Sequence, residues 1–194
     1  MPEQDLPAFH ATVQQGMRRW LERAVIGLNL CPFAKAVHVK GQIHYAVSAA
    51  SDPQALLADL EFELKALVAQ DPQVRDTTLL IAPHGFQQFT DFNDFLAEAD
   101  AALVRLELDG ILQIASFHPQ YQFAGTDVDD ITNFTNRAPY PTLHLLREDG
   151  IDRAVAAFPE AELIYKANMQ TMEKLGHAGW NALGVGPTRG KIQP

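Results

Sequence analysis

The sequence has a single cysteine, Cys31, among 194 residues. No internal disulfide can form, so no covalent crosslink supports the fold, as expected for a reducing cytoplasm. Positive charge is also scarce: 15 Lys and Arg face 24 Asp and Glu, a net charge of −9. That balance argues against a general nucleic-acid or anionic-membrane surface, both of which need clustered cations. No apolar run approaches the ~18 residues of a transmembrane helix. The start, Met-Pro-Glu-Gln-Asp-Leu-Pro, lacks the basic and apolar regions of a secretory leader. Gly-x-Gly-x-x-Gly, the Walker loop and the Gly-x-Ser-x-Gly elbow are all missing, which removes the common nucleotide-binding and serine-hydrolase readings. No cofactor is therefore specified.

What is present is a full complement of core residues, 47% hydrophobic, in a length suited to one domain. Apolar positions follow the 3.6-residue helical period over 8–28, 53–70 and 90–106. Asp52 reads as an N-cap with Pro53 at the first helical position, and Thr90 as a second N-cap. Strands are expected at 43–48, 77–82, 111–117 and 142–147, with a small extra one at 37–39. Short turns, a short helix at 151–158 and a last helix from Pro159 to a stop at Gly176 complete the reading. Alternating helices and strands imply a single-domain α/β sandwich, a mixed sheet of about four main strands flanked by helices. A ferredoxin-like α+β arrangement is the alternative. The domain is expected over 1–176, with a flexible Gly/Pro-rich tail over 177–194.

The polar chemistry concentrates in 117–147. His118 ends the third strand, at the edge where ligands collect in open α/β sheets, and suits a general acid or base. A histidine bonding a loop carbonyl would look the same in sequence. Arg137 and Arg147 offer guanidinium forks for a carboxylate or phosphate, or for structural salt bridges. Asn136 and Tyr140 could orient a ligand, or serve a turn and the core. His144 sits mid-strand, three residues from Arg147, so the two should point to opposite faces. Cys31 would be a nucleophile if His118 or His144 stood near it, and otherwise inert packing. Cysteine, histidines and aspartates include zinc and iron ligand types, but no local spacing forms a metal motif.

Three segments together carry a family resemblance: Leu30-Cys31-Pro32-Phe33-Ala34, Phe117-His118-Pro119, and Asn136-Arg137-Ala138-Pro139-Tyr140-Pro141 followed by His144-Leu145-Leu146-Arg147. With them the chain resembles a bacterial family known as domain of unknown function 1415. The resemblance implies a stand-alone bacterial cytoplasmic protein and no particular reaction.

The leading expectation is thus a small-molecule enzyme acting on a carboxylated or phosphorylated metabolite. His118 would be its acid/base and Arg137 its anion anchor, with Cys31 and Tyr140 completing the wall and Arg147, Asn136 and His144 as further contacts. A non-catalytic module binding an anionic metabolite or a protein, and a Cys/His metalloprotein, are the alternatives.

Overall fold

Four strands, β1 (Ile43–Val47), β2 (Thr77–Ile81), β3 (Leu112–Phe117) and β4 (Thr142–Arg147), form one sheet in the order β1-β2-β4-β3. The computed structural model of the chain describes residues 6–150 and 161–186. In chain order its helices are α1 (Leu6–Trp20), α2 (Ala34–Val39), α3 (Pro53–Ala69), α4 (Phe89–Arg105) and α5 (Ala161–Ala182). A π-helical segment, Leu21–Ile26, continues α1, and a 3-10 helix, Ile131–Asn136, leads toward β4.

β1 and β2 are parallel, and β4 runs antiparallel to both its neighbours. β1, β2 and β3 therefore point one way, joined by α3 and then α4. Both crossovers step in the same direction along the sheet. Crossovers of one hand then place both helices on the same face. Leu56, Leu60, Leu64 and Leu67 of α3 and Phe92, Phe95, Ala99 and Leu103 of α4 bury there against Leu80, Leu112, Leu143 and Leu145. Full burial of each large side chain contributes about 1.5–3 kcal/mol. Asp52 caps α3, accepting from the Ala55 N–H at 2.9 Å, with Pro53 in the first turn. This is the expected α/β mixed sheet, in the strand-helix order βαβαββ and not the βαββαβ of the ferredoxin-like alternative.

The other face is covered unevenly. α1 lays Val13, Met17 and Trp20 against Tyr45, Leu79 and Ile81. Gln14 donates its amide to the Tyr45 carbonyl at 2.8 Å, and the Arg18 guanidinium lies 4.2 Å from the centre of the Tyr45 ring. These contacts hold α1 over β1 and β2, leaving the β3–β4 half of that face to other elements.

The structure differs from the sequence reading in three places. Residues 37–39 lie in α2, where the Gln42 N–H bonds the Val37 carbonyl at 3.1 Å. Their β-branched valines suggested a strand, but the turn after Pro32 is closed by helical bonds instead. Gln88, with extended backbone, precedes α4, and Thr90 falls inside the helix. Gly176 is a break and not a stop: its φ of 62° and ψ of 175° interrupt α5, which resumes to Ala182. Trp180 and Val185 are then 8% and 3% exposed, so the stretch read as the start of a flexible tail packs on the core. The expected helix at 151–158, the start of the last helix at Pro159, and residues 187–194 lie outside the described residues.

Only glycine enters the Gly176 region of backbone space at low cost. A Cβ there would meet no atom within 4 Å, so the penalty is conformational alone. Gly176→Ala should lower the unfolding free energy by about 1–3 kcal/mol, measured by urea titration with Trp180 fluorescence as the probe.

Candidate functional site

Strand register builds the site. Tyr45 pairs with Leu79, Leu79 with His144, and His144 with Ala115, so these four side chains form one row across the sheet. Gln113 and Leu146 pair with each other two residues further along β3 and β4, on the same face. α1 fills the Tyr45–Leu79 side of this row. On the other side Ala115 is too small to reach anything above it. A cavity of about 400 Å³ remains there, floored by Leu79, Ala115, Phe117, Gln113 and His144. Trp20, Leu21 and Val25 form one wall, and Cys31, Phe33, Ala34 and Val37 another. Asp76, Thr77, Arg147 and Gly150 border it at the amino-terminal ends of β1 to β3. The volume lies within the ~300–1,000 Å³ of ordinary small-molecule pockets.

His144 is the polar centre of this lining. Among the described residues no hydrogen bond reaches either ring nitrogen, and its ring contact is with Phe117, 6.1 Å between centroids. The ring is half-buried and lines the cavity. Burial alone pushes its pKa down to about 4. The imidazole is therefore neutral at physiological pH, with one nitrogen to donate and one to accept.

Cys31 enters the same cavity from a loop fixed on several sides. The Leu30 N–H bonds the Val25 carbonyl at 2.8 Å, and the Leu30 carbonyl accepts from the Asn168 amide of α5 at 2.9 Å. The Ala34 N–H bonds the Cys31 carbonyl at 3.3 Å. Arg147 borders the cavity, but its guanidinium leaves for the opposite face. Nη2 donates to the carbonyls of Leu67 at 2.6 Å and Gln70 at 2.8 Å, closing the C-terminal end of α3. A cation on those orphan carbonyls complements the helix dipole.

His118, Arg137, Asn136 and Tyr140 gather at a separate corner beyond the carboxyl ends of the strands. His118 is fully buried and fully bonded. Its Nδ1 accepts from the Gln120 N–H at 3.0 Å, so Nε2 carries the proton and donates to the Phe86 carbonyl at 2.8 Å. Burial lowers its pKa; the Phe86 bond opposes the shift and the Arg137 charge adds to it. Phe86 itself has a φ of 55°, so the bond also holds a strained turn. Arg137 donates to the carbonyls of Tyr121 at 3.2 Å and Val128 at 2.7 Å, with its guanidinium 4.1 Å from the centre of the Phe134 ring. Asn136 donates to the Ser116 carbonyl at 3.4 Å, and its own carbonyl accepts from the His118 N–H at 3.2 Å. The Tyr140 carbonyl accepts from the Thr142 hydroxyl at 2.9 Å. Trp20 separates this corner from the cavity, bonding the Arg137 carbonyl at 2.9 Å while its ring meets Phe117 edge-on.

The structure thus brings Cys31 together with His144, and His118 together with Arg137, in two different places. Trp20, Gln113, Ala115 and Asp76 were not singled out from the sequence. The usable signal was Ala115, a small residue in the middle of an apolar strand. Among the described residues no group of three His, Cys, Asp or Glu side chains converges in a way that could hold a metal ion, and no helix is long and apolar enough to cross a membrane.

A family model described as protein of unknown function (DUF1415) matches residues 12–182. The chain belongs to this family. No curated protein and no solved structure matches the chain. The DUF1415 match spans both the cavity and the corner, from α1 to the end of α5, and it brings no reaction with it.

Burial of neutral histidines makes this DUF1415 chain sensitive to acid. Above pH 6.5 His144 is neutral folded or unfolded. Below it, the unfolded chain takes up a proton that the folded state refuses until about pH 4. Stability present above pH 6.5 should therefore fall by about 3 kcal/mol on acidification to pH 4. The lowered pKa values of His118 and His44 act in the same direction. His144→Leu should flatten the pH profile by the His144 share, read from urea titrations across this range.

Proposed function

We propose that the cavity is the functional site, and that it holds a small, mainly apolar molecule through a hydrogen bond to neutral His144. The observation that carries this reading is a half-buried imidazole with no hydrogen-bond partner among the described residues, facing an apolar cavity of ligand size. A ligand that hydrogen-bonds His144 gains about 0.5–1.5 kcal/mol over a purely apolar competitor. Trp20, Phe33 and Phe117 supply aromatic surface for its body. A histidine with so low a pKa is always in its basic form near pH 7, yet it is a weak base. It suits holding and orienting a ligand better than abstracting a proton.

A carboxylated or phosphorylated substrate, with His118 as acid/base and Arg137 as anchor, draws less support. Both His118 nitrogens serve internal bonds, and the guanidinium groups of Arg137 and Arg147 bond backbone carbonyls. A site in a reducing cytoplasm agrees with the lone, unpaired thiol of Cys31.

Calorimetry with p-cresol and toluene tests the reading. The two share an apolar body, and only the first can bond an imidazole. At pH 7 the wild type should prefer p-cresol, and His144→Leu should weaken p-cresol about tenfold while leaving toluene unchanged, the difference one buried hydrogen bond makes. Equal effects on both would mean that His144 only shapes the cavity. His118→Gln should leave the preference intact.

A further inference from the structure

Among the described residues the cavity lining holds one acidic and one basic side chain, Asp76 and Arg147. Arg147 is the basic one; its Nη2 is committed to the carboxyl end of α3 on the other side of the sheet, and its Nε is buried without a hydrogen-bond partner among the described residues. Asp76 is the acidic one. Its backbone N–H bonds the Gln42 carbonyl at 2.9 Å, which fixes the residue at the start of β2. Among the described residues no side chain pairs with its carboxylate. The nearest guanidinium in sequence, Arg75, is engaged with Glu63 and with the Thr78 hydroxyl. Lys35 and Lys40 of the α2 region are absent from the lining. The cavity thus joins an apolar body, a neutral imidazole on its floor, and at its border a carboxylate with no side-chain partner among the described residues.

Register sets the span between the two polar groups. Leu79 pairs with His144, and Asp76 precedes Leu79 by three residues. Strand rise places Asp76 about 10 Å along the sheet from the row of His144. One elongated molecule can touch both, with a hydrogen-bonding group at one end and the opposite charge at the other. The Gln113 amide, on the intervening stretch of floor, adds a neutral polar contact without changing the sign.

We propose that the ligand of this cavity is an apolar amine: a cationic nitrogen at Asp76, an aromatic or aliphatic body over Ala115 and Leu79, and a polar atom at His144. This rests on the cavity being the functional site and adds the sign of the ligand's charge. Carboxylates of the same shape are selected against, because Asp76 offers them a like charge at the border while Arg147 spends its Nη2 on the α3 carbonyls. An ion pair at a half-buried border contributes modestly, so the selectivity is a few-fold and not absolute.

The test uses three phenols of matched size: 4-(2-aminoethyl)phenol, 4-(2-hydroxyethyl)phenol and 3-(4-hydroxyphenyl)propanoate. Each presents the same hydroxyl to His144. Calorimetry on the full chain at pH 7 and low salt should show the amine binding about 3- to 10-fold tighter than the alcohol, with the carboxylate weakest. Asp76→Asn should bring amine and alcohol within twofold of each other, chiefly by weakening the amine, with alcohol binding still measurable. The alcohol result also reports that the variant is folded. Salt at about 1 M should shrink the amine preference in the wild type alone. An amine preference that survives Asp76→Asn, or a carboxylate that binds best, overturns the proposal while leaving the cavity reading standing. Failure of all three phenols to bind overturns both.

Discussion

Everything at this site depends on the alternation of one strand. β4 lies between β2 and β3 and is bonded on both edges, so its register has no freedom. A slip of one residue would turn its core side chains out and its cavity side chains in. That fixed register sends Leu143, Leu145 and Arg147 toward α3 and α4, and His144 and Leu146 toward the cavity. Arg147 then locks the arrangement from the far side by closing the carboxyl end of α3. Among the described residues His144 has no such partner. Its row neighbour Ala115 leaves space above it, and α1 is held away over Tyr45 and Leu79. The cavity is a consequence of where α1 stops and of one small residue, and the imidazole is the polar group the sheet delivers into it.

The two histidines of the 117–147 stretch illustrate two uses of burial. His118 is buried and bonded at both nitrogens, and its reward is structural: it ties the end of β3 to the strained Phe86 turn. Asn133 does similar work in the following loop, fully buried with its amide oxygen accepting from Phe123 N–H and Thr126 and its nitrogen donating to the Asp127 carbonyl. His144 is half-buried, opens on the cavity and has no hydrogen bond among the described residues. Saturated polar groups help to specify a fold, whereas a polar group left open on a cavity is free to bond a ligand. The two places touch through Trp20, which lines the cavity with its ring and bonds the Arg137 carbonyl with its indole nitrogen.

Much of the fold was legible in the sequence because local signals agreed with the tertiary result. The Asp52–Pro53 cap, the leucine stripe of α3 and the apolar runs of β2 and β4 each had one consistent reading. The misreadings were local signals overridden by context: valines of α2 drawn into a helical turn, and Gly176 used for a kink where it resembled a terminus. For the site, period-two alternation separated His144 from Arg147 in advance. It could not show which face of β4 was left uncovered, since that depends on the path of α1, set by contacts across the chain. Nor could it show that Arg137 and His118 spend their polar atoms on loop carbonyls, because backbone acceptors carry no sequence signature. The cavity border at Asp76 was invisible as well, because only the pairing of β2 with β4 brings the start of β2 to the cavity.

Whether His144 stands neutral and unbonded in an apolar cavity is open to direct observation by nitrogen-detected NMR of the imidazole ring. Folded protein should show a His144 ring in its neutral form from pH 8 down to about pH 4, with both nitrogen shifts moving when p-cresol is added. A His144 ring that titrates near the ordinary 6.5, or that ignores a cavity ligand, would contradict the account.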